Sequence, residues 1–349
     1  MKKILYLLQI DWDWIFQRPQ IFGMLLDKDY DCTIVYPKAF INQETVVRKN
    51  ERPSNIKPAY KIPGQSILGC IQSLNDFIEK RTFGDIHQYD AVWVCHPSLM
   101  VYIPDDYKGI VIYDCMDNHI AMTIESLKAE MKRNEEKLIE RSDLILVSSL
   151  KLGELVNRPE KTILIRNGFK EGYSFDVAEA KQHENYKIGY FGTVAEWFDF
   201  DLLEKNLDQG AHVEYHIIGP GGDAAAHPKM LFEGSVEHAK LYDYVKEYDA
   251  LIMPFQINEL ILAVDPVKLY EYISFGKCVI SVYYPEIERF EPYVYFYRNQ
   301  EEYDALIKEL EAKGFPPKYT EAQKAAFLKE NSWEYRYKII KEKIDELLK

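Results

Sequence analysis

Short apolar runs recur along the 349 residues, each leading through a small or polar loop into a stretch long enough for a helix. They fall at residues 3–10, 31–36, 91–95, 109–113, 143–149 and 162–165, and again at 187–191, 213–218, 230–232, 250–253 and 278–282. Runs this short, without polar alternation, read as strands buried on both faces, the condition of a parallel sheet. Parallel strands need crossovers, and the intervening lengths supply helices, so the fold class is α/β with Rossmann-like, doubly wound sheets. Between the two series, residues 168–185 lose apolar periodicity and gain Gly, Ser, Glu and His. The expected organisation is a first domain at 1–170, a linker at 171–185 and a second domain at 186–332. Residues 333–349 read as an amphipathic helix with enough apolar positions to pack across both domains. Sheets of this kind bind ligands beyond the carboxyl ends of their strands, and two in tandem are expected to face a central cleft.

One stretch, residues 265–280, reads DPVKLYEYISFGKCVI. Asp265 suits a helix cap, Pro266 the first helical position, and Gly276 the left-handed residue that ends the helix. Lys268 and Glu271 then share one face near the positive end of that helix. A cation and exposed amides suit a diphosphate there, and a carboxylate one turn on can accept both hydroxyls of a ribose. That describes a cradle for a nucleotide sugar. The competing reading is an ordinary i,i+3 ion pair on a solvated helix.

Charge and cysteines narrow the partners. A formal net charge of −13 disfavours nucleic acid, whose phosphates need a basic surface. The five cysteines are scattered without a C-x-x-C spacing, so they read as reduced core thiols in a cytoplasmic protein. Residues 4–10 follow two lysines like a short signal core, but Asp11 and Asp13 come at once and no cleavage site follows, so no secretion signal is expected. No run approaches the ~18 apolar residues that cross a bilayer, so membrane contact is expected to be peripheral at most. Residues 46–64 carry Arg48, Lys49, Arg52, Lys57 and Lys61 against Glu51, and Pro53, Pro58 and Pro63 argue against regular structure. This is either a solvated loop or a basic lip for an anionic acceptor or membrane surface.

The second half carries YFGT at 190–193, IGP at 218–220, FEGSV at 232–236, DALIMPF at 249–255, PVKLYEY at 266–272 and GKCVI at 276–280. The first half carries QRP at 17–19, YDCMD at 113–117 and RNG at 166–168. In this order the set resembles the GT-B fold glycosyltransferases, closest in look to bacterial surface-polysaccharide enzymes of the teichuronic-acid type, over nearly the whole chain. The resemblance implies a donor domain in which Glu271 holds the ribose and Lys268 the phosphates. It further implies Gly192 and Thr193 near the diphosphate, Val236 and Phe255 by the base, and Gly219 and Tyr272 as further donor-binding residues. Partners implied are a nucleotide sugar, most simply a UDP-sugar, and a glycan or lipid-linked acceptor, with no other cofactor.

Two positions depart from the retaining members of that family. Ala263 stands where they have a second glutamate, and Glu196-Trp197-Phe198-Asp199 replaces their basic pair. The Lys-x-x-Glu-Tyr arrangement also resembles the xanthan glucuronosyltransferase family, whose inverting chemistry uses an aspartate of the first domain. Asp117 follows a buried strand at the ligand-binding edge and is the candidate base, with a helix cap or turn as its alternative. His119 is a candidate contact to the donor sugar, as in retaining relatives; its alternative is a surface loop. Asp13, Trp14 and Arg18 follow the first strand and are acceptor-side candidates, since aromatic faces stack on sugars and arginine pairs with anions. Trp12 and Trp14 can equally be core.

No metal is expected. The eight histidines are dispersed, no D-x-D of the second half is read as sitting near a glycine loop, and Asp11-Trp12-Asp13, which has that spacing, lies at the first strand of the first half. The glycines at 219–222 do not form a dinucleotide fingerprint, so a dehydrogenase is disfavoured. Two further functions stay open on this fold: a nucleotide-sugar 2-epimerase, and a non-catalytic nucleotide-sugar-binding partner subunit.

Overall fold

The computed structural model describes residues 1–39, 50–63, 69–169, 174–221, 227–236 and 238–349. These form two compact units, one of Met1–Arg166 with Arg336–Lys349 and one of Asn167–Tyr335.

The first unit holds a parallel sheet of β1 (Lys3–Leu7), β2 (Asp31–Ala39), β3 (Ile56–Lys61), β4 (Ala91–Val94), β5 (Ile110–Cys115), β6 (Leu144–Val147) and β7 (Thr162–Leu164). Its strand order is β3-β2-β1-β4-β5-β6-β7. The order reverses between β1 and β4, the place where doubly wound sheets open a ligand crevice. Leu7 pairs with Val94, and Val94 with Tyr113, so the loops after β1, β4 and β5 leave the sheet side by side. Ile4–Leu8 and Ala91–Cys95 are buried throughout, as both-face burial requires.

The strand Ile56–Lys61 corrects the sequence expectation of an irregular segment. Pro58 is tolerated because β3 is an edge strand, where a missing N–H removes no ladder bond on the open side. Two of the described basic residues of that segment have internal partners. Arg52 pairs with Asp13 at 2.5 Å, and Lys61 with the buried Glu79 at 3.1 Å. Arg48 and Lys49 lie outside the described residues, so the basic lip is not described.

The second unit holds β8 (Tyr186–Phe191), β9 (Val213–Ile218), β10 (Met230–Gly234), β11 (Ala250–Met253), β12 (Cys278–Val282) and β13 (Tyr295–Tyr297), ordered β10-β9-β8-β11-β12-β13 and parallel. β13, only three residues long, was not expected from the sequence. The stretch read as a linker packs on this unit over its described part. Phe175 N donates to Ser274 O at 3.2 Å, and Ala178 N to Gly276 O at 2.8 Å.

At the other end of the chain, residues 336–349 join the first unit. Tyr337 donates to Asp29 at 2.9 Å and Tyr30 to Asp345 at 2.7 Å. Among the described residues, no helix is long and apolar enough to cross a membrane.

Candidate active site

In the second unit the loops after β8, β9 and β10 are tied backbone to backbone. Gly192 N donates to Ile218 O and Gly219 N to Gly234 O, both at 2.9 Å. Gly219 lies at φ +149°, and a side chain there would meet Gly192 O at 1.9 Å. Gly192, at φ +142°, touches something more telling: a Cβ would sit 2.3 Å from Lys268 Cε and 2.6 Å from its Nζ. Only glycine lets the lysine lie on that loop.

Lys268 is the second residue of the Val267–Ser274 helix, and its ammonium hangs 5.5 Å from the Tyr190 ring centre and 5.7 Å from that of Phe255. Among the described residues it has no hydrogen-bond acceptor and no carboxylate in ion-pair reach. The solvated i,i+3 pair with Glu271 is therefore not formed. Burial pushes the Lys268 pKa down, opposed by the charge of Glu271. A partly buried cation held only by aromatic faces is a poor end state and a good anion site.

The start of this helix differs from expectation. The residue at its N-cap is Pro266, with no side-chain cap. Asp265, instead of capping, is buried and turns away. It accepts from Asn167 N at 2.5 Å and from the Tyr270 hydroxyl at 3.1 Å, and it pairs with Arg289. The helix entrance is thus fixed from behind, and no side chain of the helix's own occupies the N–H groups at its mouth.

The other donor-side candidates divide. Glu271 follows one turn on and is partly buried; Thr193 is exposed and Val236 partly buried. Phe255 is 6% exposed, and its ring faces the Lys268 ammonium and the Tyr190 ring, the latter at 6.2 Å. Tyr272 has no exposed surface; its hydroxyl donates to Ile252 O at 3.2 Å, and its ring packs 4.8 Å from Phe191. That is a core residue, and the donor-contact expectation for Tyr272 is corrected.

In the first unit, Arg18 does not face an acceptor. It is buried against Asp114, with Nη2 at 2.7 Å and Nε at 3.1 Å, and its Nη1 donates to Ile165 O at 2.7 Å. These bonds tie the first residue of the Arg18–Asp29 helix to Asp114 of β5 and to the residue after β7. Asp13 is engaged by Arg52 and by Lys38 at 3.5 Å. Trp12 is fully buried, whereas Trp14 is 48% exposed on the same loop.

Asp117 follows β5 and is partly buried, and among the described residues its carboxylate has no hydrogen-bond donor. The cap role belongs to its neighbour, Asn118, which accepts from Ala121 N at 3.1 Å. Burial raises the Asp117 pKa to about 6, with the Arg18 charge pulling down and Asp114 pushing up. A carboxylate poised there can accept a proton near neutral pH.

His119 is buried rather than a surface residue, and among the described residues its Nε2 has no hydrogen-bond partner. Its ring meets His96 edge to face at 4.5 Å. Burial holds both neutral, lowering His119 to about 3 and His96 to about 4. His96 went unnoticed in the sequence as a site residue. The available signal was its place at the end of β4, the strand beside β5. Among the described residues no group of three His, Cys, Asp or Glu is arranged to hold a metal ion.

Comparison with known proteins bears on the fold first. No family model matches the chain. Over 214 residues it is 27% identical to "Putative teichuronic acid biosynthesis glycosyltransferase TuaH" of Bacillus subtilis (strain 168), covering 54% of each protein. The chain thus spans about half the length of this curated relative. Among solved structures it is similar to sucrose-phosphate synthase from Thermosynechococcus elongatus, with TM-score 0.72, 11% identity and 99% of each chain covered. It is also similar to Anabaena HepE in complex with UDP and glucose, with TM-score 0.68 and 14% identity over 99% of this chain and 100% of that one. The fold is GT-B. On the GT-B scaffold, the Lys268 loop region and the Asp117 strand end each stand at the carboxyl edge of their own sheet.

Proposed function

We propose that the protein is a glycosyltransferase that takes a sugar from a nucleotide sugar, with UDP as the nucleotide, and adds it to a glycan or lipid-linked acceptor in surface-polysaccharide synthesis. The observation that carries this reading is the Lys268 ammonium, unpaired among the described residues and seated on Gly192 at an uncapped helix mouth. It is supported by the GT-B fold, by HepE's capture with UDP and by the teichuronic acid relative.

Transfer is inverting and needs no divalent cation in this reading. The acceptor hydroxyl gives its proton to the Asp117 carboxylate as its oxygen bonds to the anomeric carbon. The bond from that carbon to the diphosphate breaks, and the charge on the departing UDP is met by Lys268 and the helix N–H groups. Glu271 holds the ribose.

Glu271→Ala should therefore weaken UDP binding about ten- to a hundredfold, the worth of charge-assisted hydrogen bonds, while the protein stays folded. Isothermal titration checks this, and unchanged affinity would remove Glu271 from the site. Turnover in EDTA should equal that without it; a loss that only manganese or magnesium restores would contradict the metal-free reading.

A further inference from the structure

The second sheet carries another opening on its carboxyl edge. A cavity of about 470 Å³ lies past the ends of β11, β12 and β13, within the ~300–1,000 Å³ usual for small-molecule sites. Phe255 is a shared wall: its ring faces the Lys268 ammonium, and it also lines this cavity.

The lining is mixed in a particular way. Asp199 caps the Phe200–Asp208 helix, Asp201 and Lys205 lie within it, Gln256 comes from the loop after β11 and Arg298 follows β13, so two carboxylates face two cations. Donors and acceptors are both present and the charges offset, so neither an anion nor a cation is selected. Ile257, 42% exposed, adds apolar surface beside Phe255. The fourth feature is buried. Tyr297 lines the cavity, is 2% exposed and packs 4.7 Å from the Tyr303 ring, so it closes the cavity on the core side.

We propose that this cavity is a saccharide subsite, separate from the Lys268 site, that takes a neutral sugar unit. Sugar hydroxyls donate and accept at once, which suits the mixed lining, and sugar C–H faces suit Phe255 and Ile257. The proposal stands on the lining alone and not on the transfer reading, so it is tested by binding rather than turnover.

The full chain is titrated with neutral gluco- and galacto-oligosaccharides by saturation-transfer NMR, with and without saturating UDP-glucose. Binding should be seen in both conditions. Gln256→Ala and Lys205→Ala should each weaken it about five- to tenfold and leave UDP affinity unchanged. Competition between UDP-glucose and the oligosaccharide would assign the cavity to the donor's own sugar and overturn the proposal. So would the absence of binding by every neutral saccharide, or an unchanged affinity in both variants.

Discussion

Asp117→Asn should lower the rate of transfer by roughly 10²–10⁴ while leaving UDP affinity intact, the signature of a lost general base. The same change should make the first unit more stable near neutral pH. The folded-state pKa of Asp117 is raised from the ordinary 3.8 to about 6, so the folded form prefers the protonated acid. Stability from this group is full below about pH 4 and is lost as pH rises through 6, because ionisation then occurs without a hydrogen-bond donor. Asparagine removes that penalty, a gain of about 1–2 kcal/mol after allowing for partial solvent screening. Urea denaturation at pH 7.5 and at pH 4 should show the gain at the first pH only. NMR of the new linkage should show inversion at the anomeric carbon. A retained anomer would sink the base assignment whatever the mutant rate, and would turn attention to His119.

Asp265→Ala should cost the second unit about 3–5 kcal/mol, the loss expected when one partner of a buried ion pair is removed. The carboxylate side chain is fully buried, and Arg289 would keep only Glu286, at 3.2 Å, as its acidic partner. Asn167 and Tyr270 would lose an acceptor as well. Because the helix entrance is held from behind by this pair, UDP affinity should fall with stability. Thermal and urea denaturation are the measurements, and an unchanged midpoint would show that Arg289 finds other partners at no cost.

The strands were readable because burial on both faces leaves unbroken apolar runs, and short runs spaced by helix lengths admit few folds. What misled was local chemistry that tertiary context overrides. Pro58 argued against a strand, yet an edge strand tolerates it. Asp265 has the composition of a cap and the position of one, but Arg289, 24 residues on, competes for it. Arg18 looked like a ligand-facing cation for the same reason: its partner, Asp114, lies 96 residues away. Burial of Tyr272 was hidden because an aromatic one helix turn from Lys268 can face either the site or the core. For Asp117, the sequence located the residue at a strand end, whereas its missing donor and the cap role of Asn118 needed coordinates.

Residues 336–349 complete the first unit, bonded to it through Tyr337–Asp29 and Tyr30–Asp345. During synthesis the second unit is therefore made whole before the first can be. The β1–β2 region must wait, with its apolar surface incompletely covered, until the ribosome has passed the entire second sheet. Removing residues 336–349 should consequently injure the unit that is translated earliest, and its damage should surface as aggregation rather than as a local fraying of the tail.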